Sequence, residues 1–440
     1  MTERAAGPNL YRLIPGQIWR FLKTQSASFW FLCIYMFFEY VRPQQLFPVI
    51  DVLPWAQMTL IGALVSHFVF EGGGLTTRSP ANLMLAVFAL LVLASTVAAY
   101  MPGEALANYD AFFGWVLVYI LITNIVTSER RFVVFTLAFL LYNVQMSYGA
   151  MKQWAGFGFG FRSWGVTGGA GWFNNSGDFG IAMCIFVPVS LHFALALRNQ
   201  VARWKFLLLL GFPVSALLGI IASSSRGALL GMAAVGFWFL VSNKRYRARA
   251  LVATVVLAGM VYLILPAEQK ERFANAGTDE TSRLRLTYWR HGMQITNEHP
   301  LLGVGYYNWL PYYRRNYNPN GQQPHNIFVQ VGAELGYPGL LVFLGLAATT
   351  LVINRRTRKL TAGKPSMRLM HMMSHGFDGG LIGYLAAGFF VSVFWYPLFW
   401  VNLAMAVALH EVARREANAR VVVSAPGRGT AAVQRRALRS

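Results

Sequence analysis

The amino-acid sequence alternates between long apolar stretches and short polar or basic segments along almost its whole length. A helix needs about 20 mostly apolar residues to cross the hydrocarbon core of a bilayer. Twelve stretches reach or approach that length: 28–41, 52–70, 81–100, 111–126, 132–148, 179–197, 206–222, 227–242, 250–266, 327–354, 377–394 and 396–412. The pattern predicts an all-α polytopic membrane protein with about twelve transmembrane helices in residues 28–412, and one long loop at 267–324.

The composition agrees with a chain that lies mostly in lipid. Apolar residues make up 55% of the chain and charged residues 12%, whereas soluble proteins average about 25% charged residues. Both cysteines, Cys33 and Cys184, lie in apolar stretches and are expected to be buried side chains, not a disulfide or a metal pair. A soluble domain is therefore excluded.

The placement of basic residues predicts the orientation of the chain. If the N-terminus is cytoplasmic and the sides alternate, 27 of the 38 Lys and Arg residues fall in cytoplasmic segments. Seven of the remainder lie in the loop 267–324, to which the positive-inside rule applies only weakly because the loop is long. Both termini are predicted to be cytoplasmic, and the net charge of +21 reflects topology, not nucleic acid binding.

The two ends of the chain are predicted to lie outside the membrane core. Residues 1–27 form a cytoplasmic segment without the features of a cleavable signal. Either a short interfacial helix, with Ile18 and Trp19 on its apolar side, or a mobile basic leader fits this segment. Residues 413–440 are rich in Ala, Arg, Gly and Val without a helical stripe, and are predicted to be a disordered cytoplasmic tail.

Three regions on the predicted outer face carry candidate chemistry. The loop 152–178 is rich in glycine and aromatic residues and contains Arg162, and the short turn 223–228 places Arg226 between two spans. The third region is the long loop, which ends just before His325. The outer face has nine arginines and two lysines. Since a guanidinium can meet two phosphate oxygens at once, this bias indicates phosphate recognition.

Arg226 has two interpretations. It could be an anchor whose guanidinium reaches the lipid headgroups, or it could be a fixed phosphate-binding group. Arg285 lies in the stretch 283–300, whose pattern predicts an amphipathic helix with Arg285 and Trp289 on one face and with Leu284, Tyr288 and Ile295 on another. The bland interpretation of that helix is a segment that lies on the membrane surface.

His325 directly precedes an apolar span, so it is expected at the outer end of that span with a pKa near neutrality, where a general base works well. A lone histidine is more often structural than catalytic. His371 and His375 have the i, i+4 spacing of metal ligands but no acidic partner, and they are predicted to face the cytoplasm.

Several motifs are absent from the sequence. No GxxxxGK[ST] segment, no Asp-x-Asp pair and no HExxH segment occurs, so ATP binding through a P-loop and the common metal sites are not expected. Few ionisable residues lie inside the predicted spans, which argues against a proton-coupled relay. No metal and no cofactor are predicted.

The order of the outer motifs closely resembles the O-antigen ligase and polymerase superfamily of bacterial envelope glycosyltransferases. The shared features are a Ser-Arg-Gly turn, an Arg-x-x-x-Trp helix, a Pro-Leu-x-Gly-x-Gly segment and a His-Asn run that continues to a Glu-x-Gly. In this chain they are Ser225-Arg226-Gly227, Arg285 to Trp289, Pro300 to Gly305, and His325-Asn326 with Glu334 and Gly336. The segment Asn174-Asn175-Ser176 of this chain resembles an Asn-rich turn of the family. In the family that turn is commonly Asn-Pro-Asn, so this chain departs from the pattern.

The resemblance implies a GT-C-like fold in the bacterial inner membrane with a periplasmic active site. It implies transfer of an O-antigen polysaccharide from undecaprenyl pyrophosphate to the lipid A–core oligosaccharide, with inversion and without a metal. Membrane lipids surround both substrates. Alternatives are an O-antigen polymerase, a ligase that attaches glycans to proteins, including the exosortase-associated kind, and, from another class, a lipid-linked glycan flippase or transporter.

The resemblance also implies roles for particular residues. His325 would be the general base, and the donor pyrophosphate would be bound by arginines. These arginines are Arg226, Arg285 and Arg162. Three further residues would support the site: Arg290, Trp289 and Glu334.

Overall fold

The computed structural model describes residues 9–161, 165–169, 171–242 and 279–424, and isolated residues between 248 and 271. All regular secondary structure in this part of the chain is helical, and it contains no β-strand. In chain order the helices are α1 Pro15–Leu22, α2 Ala27–Tyr40, α3 Pro43–Leu46, α4 Trp55–Val65, α5 Pro80–Val97, α6 Pro102–Ala107, α7 Tyr109–Ile125, α8 Glu129–Gly156, α9 Ser176–Leu197, α10 Arg203–Ala222 and α11 Arg226–Ser242. After residue 278 they continue with α12 Glu280–Glu298, α13 Trp309–Asn316, α14 Ile327–Thr361, α15 Arg368–Ala387 and α16 Pro397–Ser424.

Within the described residues, six helical segments are long and apolar enough to cross a membrane: Pro80–Val97, Pro102–Ile125 (α6 and α7 together), Glu129–Gly156, Ser176–Leu197, Arg203–Ala222 and Ile327–Thr361. The same part of the chain has two shorter apolar helices, Trp55–Phe70 before the first of these segments and Arg226–Ser242 between the fifth and the sixth. The prediction of an all-α polytopic membrane protein is therefore confirmed. The stretch 250–266 lies outside the described ranges, and the count of about twelve spans stays a prediction.

Helix α9 forms the centre of the bundle and packs most extensively on α15 and α10. Small residues on α15 allow this approach. A Cβ added at Gly383 would lie 2.8 Å from the carbonyl oxygen of Cys184, and one at Gly376 would lie 3.0 Å from that of Pro188. The hydrophobic effect does not drive helices together within lipid, so close backbone packing at glycines supplies much of the stabilisation of helix–helix contacts.

Two boundaries differ from the predicted spans. The apolar stretch 377–394 is not one helix, because α15 begins at Arg368 and ends at Ala387, and residues 391–396 are irregular. The last helix extends to Ser424, beyond the predicted boundary at 412. Residues 425–440 of the predicted tail lie outside the described ranges. Near the other terminus, residues Pro15–Leu22 form the short helix α1. Of the two predictions for residues 1–27, a short helix or a mobile basic leader, the helix is the one present in the structure.

One end of the bundle gathers the loops that carry the candidate chemistry. The backbone N–H of Val166 donates to the carbonyl of Ala222 at 3.1 Å, which joins the loop 152–178 to the α10–α11 turn. The hydroxyl of Tyr396 donates to Asp178 at the start of α9. At the opposite end, Lys205 donates to the carbonyl of Arg12.

Helix α14 is broken at Gly336, which has φ +68° and ψ −173° and is followed by Pro338. The Pro300–Gly305 segment lies against this break. The carbonyl oxygen of Pro300 accepts a hydrogen bond from the backbone N–H of Tyr337 at 2.9 Å. A Cβ added at Gly336 would lie 2.5 Å from that same oxygen. Gly303 is equally constrained, since a Cβ there would lie 2.4 Å from the carbonyl oxygen of Ala333. Glycines in both motifs thus let two backbones meet at the entrance to a span.

Candidate active site

His325 lies where the chain enters α14. Its backbone adopts φ +49°, in the left-handed region that favours glycine. Asn326 then caps the helix, and its Oδ1 accepts hydrogen bonds from the backbone N–H groups of Phe328 at 2.9 Å and Val329 at 3.2 Å. Because a histidine in this conformation costs free energy, the neighbouring structure must hold it in place.

Side chains from α12 and α13 supply that support. Trp289 Nε1 donates to the carbonyl of Pro324 at 3.0 Å, and Trp309 Nε1 donates to the carbonyl of Gln322 at 2.8 Å. The hydroxyl of Tyr288 accepts from the N–H of Gln322 at 3.3 Å. The predicted amphipathic helix is therefore real, and it fixes the segment that precedes His325.

The apolar face predicted for that helix is buried only in part. Tyr288 and Ile295 are buried against α13 and α14, but Leu284 of the same predicted face is exposed. Tertiary packing thus selects only part of the apolar stripe, because α13, which the sequence pattern did not reveal, covers one portion of it.

The imidazole of His325 is partly buried beside a cation. Burial and then the charge of Arg285 lower the pKa of His325 to about 4, below the near-neutral value expected from the sequence. Both causes penalise the imidazolium. The ring is therefore neutral at pH 7 and has a nitrogen that can accept a proton.

Arg226 is the first residue of α11, two residues after Ser224, which has φ +53°. Its two terminal nitrogens donate to the two oxygens of Asp279, at 3.1 and 3.4 Å. Asp279 also caps α12 by accepting from the N–H of Ser282 at 3.0 Å. The hydrogen bond from Arg226 holds the pKa of Asp279 well below its usual range, so the Asp279 carboxylate is ionised at neutral pH.

Arg285 lies close enough to Arg226, Asp279 and His325 to interact with all three electrostatically. Burial and then the charge of Arg226 lower the pKa of Arg285. Its Nε is buried and has no hydrogen-bond partner in the described part of the chain. Two arginines and a histidine are thus brought together with one guanidinium nitrogen left unsatisfied, which is a costly arrangement without a ligand.

Other unsatisfied or strained groups lie close by in the sequence. The side-chain oxygens of Ser224, Gln323 and Gln330 are buried and have no partner among the described residues. Both Ser224 and His325 have positive φ. Strain and unmet hydrogen bonds concentrate at functional sites, so both features point to the same place.

Glu334 is 1% exposed and lies eight residues after Asn326, about 12 Å along the helix. One carboxylate oxygen accepts from the N–H of Trp309 at 3.3 Å, and the other accepts from Trp395 Nε1 at 3.1 Å. It therefore ties α14 to α13 and to the irregular segment 391–396. Glu334 therefore has a structural role beside the candidate site, and its hydrogen bonds go to Trp309 and Trp395 and not to His325.

The remaining predicted residues have different outcomes. Arg290 is exposed, and its electrostatic effect falls on His291. Arg162 lies outside the described residues. The loop that contains it does approach the site, because a Cβ at Gly165 would lie 2.0 Å from the carbonyl oxygen of Ser223.

Sequence reasoning missed Asp279. A signal was present, because Asp followed by Glu280 and Ser282 is typical of a helix start. Nothing local in the sequence indicates that this carboxylate also pairs with an arginine 53 residues away.

Comparisons with known proteins agree with the motif order. Residues 211–344 match a family described as O-antigen ligase, and residues 18–197 match a family of unknown function. A Pseudomonas aeruginosa protein named O-antigen ligase is 29% identical over 153 residues, which cover 33% of this chain and 35% of that protein. The match thus spans about a third of the curated relative. The sequence-based recognition of the O-antigen ligase superfamily is confirmed.

Proposed function

From the relationship of residues 211–344 to the O-antigen ligase superfamily, we propose that this protein is a periplasmic-face glycosyltransferase. It transfers a polysaccharide from undecaprenyl pyrophosphate to the lipid A–core oligosaccharide. One observation supports this most: Arg226, Arg285 and His325 come together from three separate elements, and Arg285 Nε has no partner in the described residues. A pyrophosphate next to a neutral histidine engages all three groups.

The proposed reaction is a single displacement at the anomeric carbon of the donor. An acceptor hydroxyl oxygen forms the new bond to that carbon, while the bond from the carbon to the phosphate oxygen breaks. His325 takes the proton of the hydroxyl, and undecaprenyl pyrophosphate leaves with the electron pair. Attack from the opposite face inverts the anomeric centre.

The arginines act on the leaving group. Charge develops on the pyrophosphate oxygen as the bond breaks, and fixed cations that are already oriented stabilise it without further reorganisation. Arg226 and Arg285 are held by α11 and α12, whose ends are tied together through Asp279. The donor is already activated, so the reaction needs no ATP.

A transfer assay tests the proposal. Purified protein in lipid nanodiscs is given labelled undecaprenyl-pyrophosphate glycan and lipid A–core, and a covalent product is expected with or without a chelator. Parallel reactions offer a second lipid-linked glycan or an exported protein as acceptor. If product forms only with the second glycan or only with the exported protein, that molecule is the acceptor instead of lipid A–core. Movement of the donor across the bilayer without any product would identify a transporter.

The pH dependence should differ between kcat/KM and kcat. The free enzyme has His325 neutral down to a pKa of about 4, so kcat/KM should stay level from pH 8 to about pH 5 and fall below that. Bound pyrophosphate opposes the charge of Arg285 and raises the pKa of His325, so the acid limb of kcat should lie at higher pH. Steady-state rates from pH 4 to pH 9 measure both limbs.

Arg285→Gln gives the matched control for that profile. Removing the cation takes away one of the two causes that lower the pKa of His325, so the limb of kcat/KM should move to higher pH. A wild-type limb in kcat/KM centred near the usual histidine pKa, and unmoved in Arg285→Gln, would contradict a buried neutral base.

The carboxylate of Asp279 accepts hydrogen bonds from both terminal nitrogens of Arg226, as two phosphate oxygens would. The donor pyrophosphate therefore has to displace Asp279 from Arg226. We expect Asp279→Asn to lower the KM for the donor by about two- to fivefold, the effect of removing a partly exposed ion pair. Asparagine is also a good helix cap, so α12 should stay intact. Donor KM at fixed acceptor concentration is the measurement.

Glu280→Gln is the matched control for this experiment, because it removes a neighbouring negative charge that forms no ion pair with Arg226 in the described structure. An equal fall in KM for both variants would assign the effect to net charge. A rise in KM for Asp279→Asn would show that Asp279 orients Arg226 for the donor.

A further inference from the structure

A second polar and aromatic cluster lies at the same end of the bundle and has no part in the mechanism above. It consists of Glu39, Arg42, Trp172, Asp178 and Tyr396, and is called here the Trp172 cluster. The guanidinium of Arg42 pairs with Glu39 at 3.3 Å and lies 5.2 Å from the ring centroid of Trp172. Trp172 Nε1 donates to the carboxylate of Glu39.

The fold brings three distant segments together to make this cluster. The rings of Trp172 and Tyr396 lie 4.8 Å apart at an angle of 53°, and Tyr396 donates its hydroxyl to Asp178 at 3.2 Å. Gly171, with φ +89°, makes the contact possible, since a Cβ there would lie 2.5 Å from Cδ of Arg42. Arg42 itself has φ +49°.

The cluster has polar capacity that the protein does not use. Among the described residues, Oδ1 of Asp178 and Oε2 of Glu39 have no hydrogen-bond partner. Trp172 and Tyr396 are both partly exposed. The turn that follows Trp172 adds the exposed amides of Asn174 and Asn175. Aromatic faces beside planar carboxylate and amide groups form a surface with an apolar platform and a polar edge.

This surface suits a neutral sugar. A pyranose ring presents C–H groups on its face and hydroxyls at its edge, which match the rings and the carboxylates. A phosphate suits it less well, because the cluster holds a single guanidinium and that group already pairs with Glu39. The donor site has the opposite character, with Arg226 and Arg285.

The Trp172 cluster lies within reach of the reaction. The backbone N–H of Val166 donates to the carbonyl of Ala222 next to the Arg226 turn, and Trp172 lies six residues further along the chain than Val166. Six residues extend to at most about 22 Å. Trp395, which precedes Tyr396, donates to Glu334 in α14. A short oligosaccharide that contacts Trp172 could therefore place its end at the donor site.

The two sites also divide along the chain. Arg226, Arg285 and His325 all lie in the 211–344 match, whereas four residues of the Trp172 cluster lie in the 18–197 match. On the basis of the proposed function, we infer that the Trp172 cluster binds a sugar of the acceptor, with Trp172 and Tyr396 under its face and Asp178 and Glu39 at its hydroxyls.

The test compares acceptor and donor kinetics in the full-length protein. Trp172→Ala should raise the KM for lipid A–core about five- to tenfold, the effect of losing one aromatic contact, and leave the donor KM unchanged. Asp178→Asn should raise the acceptor KM in the same direction. Trp172→Phe keeps a ring face and should retain most of the affinity. A rise in donor KM alone, or no change in either KM, overturns the inference.

Controls separate this inference from the proposed function. Trp204, 61% exposed at the opposite end of α10, is the matched tryptophan, and Trp204→Ala should leave both KM values unchanged. Direct binding of free core oligosaccharide and of undecaprenyl pyrophosphate without glycan is measured in the same proteins. Trp172→Ala should weaken only the binding of core oligosaccharide, and Arg226→Lys should weaken only the binding of undecaprenyl pyrophosphate. If wild-type protein binds both probes but forms no product, the proposed function fails and the inference on sugar binding does not.

Discussion

Replacing His325 should reduce kcat by roughly 10²–10⁴-fold, the usual contribution of a general base, and leave the donor KM near its wild-type value. The reason is that His325 is neutral and lies beside the arginines proposed to hold the leaving group. His325→Asn is the sharper variant, because asparagine tolerates the left-handed backbone at this position better than alanine does. Initial rates at saturating donor and acceptor give kcat for both variants.

Two histidines of the same loop are internal controls. His291 interacts with the hydroxyl of Tyr313 at 2.8 Å, and His299 interacts with that of Tyr312 at 3.2 Å. Alanine at either position should cost far less than at His325. Near wild-type turnover in both His325→Ala and His325→Asn, with loss of turnover in Glu334→Gln or His299→Ala, would show that another residue is the base.

Arg226→Lys and Arg285→Lys should each lower kcat/KM by about 10- to 100-fold, the effect of losing one charge-assisted hydrogen bond. Lysine keeps the charge but not the fork that meets two phosphate oxygens. At Arg285 the Nε, which has no partner in the described structure, is also lost. Steady-state kinetics with the lipid-linked donor measure the effect.

Arg315→Lys and Arg290→Lys are matched controls, since both arginines are exposed on the same loop. They should remain within about twofold of wild type because exposed charges contribute little. Full activity in Arg226→Lys and Arg285→Lys would reduce both residues to surface anchors and would remove the arginine half of the proposed mechanism.

The helices of the membrane region follow directly from the sequence, because each needs only a run of apolar residues. The Arg285–Trp289 helix was also predictable, since its i, i+4 pattern is local. The end of α15 was not, because residues 391–396 are apolar enough to continue a helix. In the structure Trp395 instead bonds to Glu334 and Tyr396 bonds to Asp178, contacts that a continued helix would not make.

For the candidate site, the sequence by itself determined which residue types are available and in what order, including His325 before an apolar helix and several arginines in the loops. Only the tertiary structure decided which of them meet. It paired Arg226 with Asp279, left Arg290 exposed, lowered the pKa of His325 through burial and Arg285, and assembled the Trp172 cluster from three segments. The physical reason is that burial, charge pairing and ring contacts depend on distances between residues far apart in the chain, which no local pattern encodes.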